Sequence, residues 1–185
     1  MRRVERSQIQ PLDKYESTRE EFRQKAMSAK GLRRVHVGEH LTFLFENHET
    51  TLYQVQEMLR TEKTTDEAHI MHEIETYNEI LGEQGELGCT LLIEIDDPQK
   101  RDTLLRKWLK LPEFIYIKTQ SGNKVRPQFD ERQVGEHRIS SVHYMRFRLG
   151  DQIPVGVGCD LPELNLESAL SPQQTAAFCQ DILAR

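Results

Sequence analysis

Residues 87–95 read Leu-Gly-Cys-Thr-Leu-Leu-Ile-Glu-Ile, and this run decides the fold. It falls far short of the roughly 20 apolar residues that a membrane helix needs. An uninterrupted apolar stretch of strand length predicts a central β-strand covered on both faces. Upstream, residues 33–38 (RRVHVG) alternate, and residues 40–46 (HLTFLFE) are aromatic and β-preferring. Together they predict a hairpin turning at Gly38 and Glu39. Leu41, Phe43 and Phe45 then share one face, and Thr42, Leu44 and Glu46 the other.

Between these strands the period changes to that of a helix. Over 48–63, Leu52, Val55 and Leu59 make one stripe; over 66–81, Ile70, Ile74, Tyr77 and Leu81 make another. Only Thr64-Thr65 separates the two, so the spacing predicts an αα-hairpin. Further out, residues 13–30 read as a helix with a thin stripe of Phe22, Ala26 and Ala29, stopped near Gly31. Pro98 opens a helix through Leu109, and residues 114–119 read as a strand followed by a turn at 121–124. Residues 141–149 alternate, with Val142, Tyr144, Arg146 and Arg148 opposing His143, Met145, Phe147 and Leu149. Residues 153–159 make a weaker strand, and Ser171-Pro172 starts a last helix to 183. Strands and helices intermix without a βαβ rhythm. The expectation is an α+β fold, a mixed or largely antiparallel sheet with helices packed on it.

The chain has 185 residues, which suits one domain over 1–185, with 1–12 as a flexible N-terminal segment. Hydrophobic residues at 37% and charged residues at 30% exclude collagen-like and membrane classes. The net charge of -5 is uneven: residues 1–34 carry +5, residues 39–102 carry -12 and residues 103–185 carry +2. So acidic a middle argues against a nucleic-acid surface, which needs clustered Lys and Arg. The basic start (Arg2, Arg3, Arg6) reads as a solvated end. Cys89, Cys159 and Cys179 are scattered and odd in number, with no CxxC pair; this points away from a disulfide framework or a zinc ribbon, and toward the cytoplasm. No secretory signal opens the chain.

Standard catalytic motifs fail. There is no GxxxxGK[ST], no GxGxxG and no GxSxG. Asp66-Glu67-Ala68-His69 spells a helicase box, but without a phosphate loop it reads as the acidic first turn of a helix. Of the thiols, Cys89 falls mid-strand as an inert core group, and Cys159, after Gly158, is the more reactive candidate. Two polar constellations remain. His69-x-x-His72-Glu73 places two imidazoles and a carboxylate on one helix face; the alternative is a pair of exposed histidines opposite the Ile70/Ile74/Tyr77 stripe. Carboxylates also gather on adjacent elements, with Glu46 at a strand end, Glu57 and Glu62 on the first hairpin helix, and Glu73 on the second. If the helices pair, Glu57, Glu73 and Arg60 approach one another as an acid/base pair, a metal cage or an ion network.

One string carries a resemblance: Leu41-Thr42-Phe43-Leu44-Phe45-Glu46-Asn47, then Gln54-Val55-Gln56-Glu57-Met58-Leu59-Arg60-Thr61-Glu62, then Glu73-Ile74, Tyr77-Asn78 and Thr90 through Ile95. It resembles the bacterial family catalogued as domain of unknown function 3501. That resemblance implies a redox or peroxide-defence setting, beside rubrerythrin-like and iron–sulfur oxidoreductase proteins. The family's Asp-His-Pro stretch has its nearest match in Asp160-Leu161-Pro162, which lacks the histidine. The expected binding cluster is Glu46, Asn47, Gln54, Glu57, Arg60, Glu62, Glu73 and Asn78. The first functional expectation is a soluble accessory or binding protein with a rubrerythrin-like or iron–sulfur partner. The second is a metal-dependent enzyme or iron-binding protein, holding iron, zinc or manganese on Glu46, Glu57, His69, His72 and Glu73. A third is a small-molecule binding domain closed over by the C-terminal helix.

Overall fold

A computed structural model describes residues 3–184. Two antiparallel sheets share one core. The first has the order β1-β2-β3-β7-β6, built from β1 (Arg34–Val37), β2 (Leu41–Phe45), β3 (Glu86–Ile93), β7 (Val142–Arg148) and β6 (Gln128–Phe129). The second has the order β5-β4-β8-β9, from β5 (Lys124–Val125), β4 (Ile115–Thr119), β8 (Pro154–Leu161) and β9 (Leu164–Ala169). The fold is therefore α+β with open antiparallel sheets, and the 87–95 run supplies its middle strand. β2 and β7 flank β3, with Phe43 opposite Leu91 and Leu91 opposite His143.

The alternation read from sequence places the faces. Leu41, Phe43 and Phe45 join Leu87, Cys89, Leu91, Met145 and Phe147 in the shared core. Helix α6 (Pro172–Leu183) lies against that core, where the Phe178 ring meets Phe45 at 4.5 Å. Ser171 caps α6 and Pro172 opens it. Arg33 and Asp181, each with 8% of the side chain exposed, bind α6 to the start of β1 through two hydrogen bonds of 2.7 and 2.8 Å. The short helices α4 (Pro98–Lys107) and α5 (Leu111–Phe114), with the turn between them, add Leu105, Trp108 and Leu111 to the same core.

The opposite face of the first sheet carries the other helices. α1 (Leu12–Gly31) packs on α2 (His48–Glu62), and α2 pairs with α3 (Glu67–Ile80) as the expected αα-hairpin. Asn47 caps α2, its side chain accepting from the Thr50 amide; Lys63, in the left-handed region at φ 51°, ends the helix and turns the chain. Asp66 caps α3 by accepting from the His69 amide, which is the role the helicase-like string plays here. A second core of Val55, Leu59, Ile70 and Ile74 forms between α2 and α3. Val4 and Ile9 complete it, so the segment assigned as a flexible lead-in is laid down on the hairpin. Two buried amides grip that segment like strand partners. Asn78 accepts from the Val4 amide and donates to the Val4 carbonyl, both at 2.9 Å, and Gln56 does the same for Gln10 at 2.9 and 3.1 Å.

Two glycines are required by position. Gly38 turns the β1–β2 hairpin with φ 65°. At Gly88, a β-carbon would fall 1.7 Å from the Ile80 carbonyl oxygen, so the last turn of α3 rests directly on the β3 backbone.

Candidate functional site

The helical layer does not seal the outer face of the first sheet. A cavity of about 230 Å³ lies between Leu44, Thr90 and Tyr144 on the sheet and Thr51, Gln54 and Tyr77 on the helices. A larger one, about 710 Å³, lies beyond it between the C-terminal half of α3 and the β6–β7 edge. Tyr77, Ile80 and Tyr144 border both, so the two form adjoining compartments of one cleft. The larger volume falls within the range of small-molecule sites, and the smaller extends it.

The cleft follows from local sequence. Strand β7 alternates cleanly, and its outward residues Val142 and Tyr144 remain 37% and 48% exposed. Gln133 holds the β7 edge there, accepting from the Tyr144 amide at 2.8 Å. Tyr77 reaches in from α3 and hydrogen-bonds Gln54 of α2; burial raises its phenol pKa above the ordinary value, with the Gln54 bond opposing the shift. Arg3 enters the rim because Asn78 fixes the neighbouring Val4.

The expected binding cluster divides among four places. Glu46 and Gln54 line the smaller compartment, and Asn78 borders the larger one while holding Val4. Glu46 also accepts from the Thr50 hydroxyl. Asn47 is buried as the α2 cap, and its side chain hydrogen-bonds Asp181. Glu57 and Arg60 turn the other way, toward α1, which corrects the expected meeting of Glu57, Glu73 and Arg60. Arg19 grips Glu57 with two bonds of 2.8 and 2.9 Å, and the Tyr15 hydroxyl donates to it at 2.7 Å. Arg60 donates to Glu16 of α1 at 2.7 Å. The Arg19 guanidinium holds the Glu57 carboxyl below its ordinary value, and burial with the Glu57 bond pushes the Tyr15 phenol up. Neither group suits proton transfer near neutrality.

The remaining residues meet at the helical turn. The His69 Nε2 stands 2.7 Å from a Glu62 oxygen and 3.7 Å from a Glu73 oxygen. Ligand atoms of these three all lie within 4.8 Å of one another, the group among the described residues that could hold a metal ion. Of the five metal ligands expected, only His69 and Glu73 meet. Glu46 and Glu57 are on other surfaces, His72 is exposed, and Glu62 takes their place.

The thiols are quiet. Cys159 is fully buried in β8, so the greater reactivity expected of it is corrected, and burial raises its pKa. Cys89 is likewise buried, with its pKa raised by burial first and by the Glu46 charge second. Asp160 takes two bonds of 2.8 Å from Arg126 and one of 3.0 Å from Lys124, which hold its carboxyl down to about 2. Leu161 is buried in the core. The C-terminal helix closes the core and not the cleft, whose roof is α2 and α3.

The sequence profile of the family described as protein of unknown function, DUF3501, matches residues 3–182. The chain belongs to that family. Its fold is similar to the crystal structure of a protein of unknown function from Burkholderia pseudomallei K96243. There the TM-score is 0.87 at 26% identity, covering 98% of this chain and 100% of the other. No curated protein matches the chain. No helix among the described residues is long and apolar enough to cross a membrane.

The residues missed from sequence are Tyr144, Arg146 and Arg3. The signal was in β7, where an aromatic and a valine stand on the polar side of a clean alternation.

Proposed function

We propose that this DUF3501 chain is an accessory binding protein that takes a small ligand in the cleft between α2–α3 and the outer face of the first sheet. The observation that carries this reading is the pair of compartments meeting at Tyr77 and Tyr144. Two buried thiols, Cys89 and Cys159, and a carboxylate locked by Arg19 support a role in binding over one in thiol or acid/base chemistry. The family resemblance favours a redox or peroxide-defence setting, with a rubrerythrin-like or iron–sulfur oxidoreductase as partner. Free cysteines suit a reducing cytoplasm. A thermal-shift screen of the purified chain against a small-molecule library tests the binding role. Hits that stabilise the wild type but not Tyr144→Ala support it; an empty screen, or hits indifferent to Tyr144, refute it. Retention of an iron–sulfur or rubrerythrin-like protein on the immobilised chain tests the setting.

The convergence of Glu62, His69 and Glu73 favours a second reading, a divalent-cation site at the α2–α3 turn. One imidazole and two carboxylates suit zinc, iron or manganese. Calorimetric titration with Zn²⁺ should give one site that weakens in Glu73→Gln. Equal binding by the variant would remove this reading.

A further inference from the structure

We infer that the cleft selects a planar heteroaromatic molecule of low net charge, of purine or flavin size. This rests on the cleft-binding reading above and names its ligand class. Two aromatic side chains from two elements face the space: Tyr77 from α3 and Tyr144 from β7. Tyr144 stays 48% exposed although it stands inside a walled cleft. Aromatic walls favour flat π-systems, because offset-stacked and edge-to-face contacts add to the burial of area.

The charges fix the second half of the class. In the larger compartment Arg3 and Arg146 are matched by Glu79 and Asp130; in the smaller, Lys30 is matched by Glu46. A polyphosphate is recognised by an excess of cations or by a glycine-rich cradle of backbone amides. The lining is balanced, and the sequence has no such loop. A ring with polar edges fits better, because Gln54, Thr90 and Gln128 offer amide and hydroxyl groups along the walls. The ring would lie against Tyr144, and the Arg3 end of the N-terminal segment would border it.

Isothermal titration with riboflavin and with adenosine tests this, each paired with its charged counterpart, flavin mononucleotide and ATP. At least one neutral ring should bind with a micromolar dissociation constant. Its phosphorylated form should bind no more tightly. Tyr144→Ala should weaken that binding about tenfold, since stacking on one aromatic ring is commonly worth that factor or more. Tyr144→Phe, which keeps the ring, should bind within about threefold of wild type. Tighter binding of ATP or flavin mononucleotide than of the neutral partner would overturn the charge argument. Unchanged binding in Tyr144→Ala would overturn the stacking argument. If neither ring binds while library compounds still stabilise the wild type through Tyr144, the ligand class fails and the binding reading stands. If nothing binds at all, both fail.

Discussion

Replacing Glu57 by alanine separates the two roles open to that carboxylate. Glu57 accepts a hydrogen bond of 2.7 Å from the hydroxyl of the fully buried Tyr15 and two more from Arg19. Alanine leaves the Tyr15 O–H without its acceptor, a loss of about 1–3 kcal/mol. It also removes a half-exposed ion pair, worth about 0.2–1 kcal/mol. The expected total is a loss of about 2–3 kcal/mol of unfolding free energy. Glu57→Gln keeps an oxygen for Tyr15 and loses only the charge, so its cost should stay near 1 kcal/mol. Urea unfolding followed by circular dichroism, at constant m, measures both. The pH dependence follows from the same contacts. Because Arg19 lowers the folded carboxyl, the stabilisation is fully present above the unfolded value near 4.3. It is lost as pH falls through the folded value, and Glu57→Gln should flatten that part of the curve. An alanine variant within about 0.5 kcal/mol of wild type that lost cleft binding would show that Glu57 serves the ligand and not the α1–α2 contact.

Three further outcomes are expected. Asp181→Ala should lose about 3–5 kcal/mol by stranding the buried Arg33 charge, whereas Arg33→Met with Asp181→Leu should recover most of that in the same denaturation assay. Gly88→Ala should cost at least about 1–3 kcal/mol, because its methyl would strike the Ile80 carbonyl oxygen; it should also disturb the Tyr77 environment, read as a change in near-ultraviolet dichroism. The buried His143 donates its Nε2–H to the Ser140 carbonyl, while its Nδ1 has no partner among the described residues, and burial lowers its pKa. The unfolded chain therefore binds the extra proton first. Stability should be fully present above the unfolded value near 6.5 and decline as pH falls toward the folded value, a slope that His143→Leu removes.

Much of the fold was legible because burial leaves a plain periodic trace. The 87–95 run became β3, and the stripes on 48–63 and 66–81 became the hairpin with ends displaced by a residue or so. β9 was missed because Leu164–Ala169 alternates between half-buried and exposed positions, with no apolar run to mark it. β5 and β6 are two residues each, below any sequence period. The site was less legible, for a reason of direction. Carboxylates close in sequence looked like neighbours in space, but Tyr15 and Arg19, one turn apart on α1, draw Glu57 away from α3. The N-terminal segment was read as loose because Val4 and Ile9 stand alone among polar residues. Buried amides at Asn78 and Gln56, invisible to hydropathy, hold it.

Ligand binding between the helical hairpin and the outer sheet face can be seen residue by residue. Amide NMR of the isotope-labelled chain, titrated with any compound that stabilises it, locates the contact directly. Shifts should concentrate at Ile80, Thr90 and Tyr144, with the Glu57–Arg19 face unmoved. Shifts centred on that α1–α2 face, or spread evenly over the molecule, would contradict binding in the cleft.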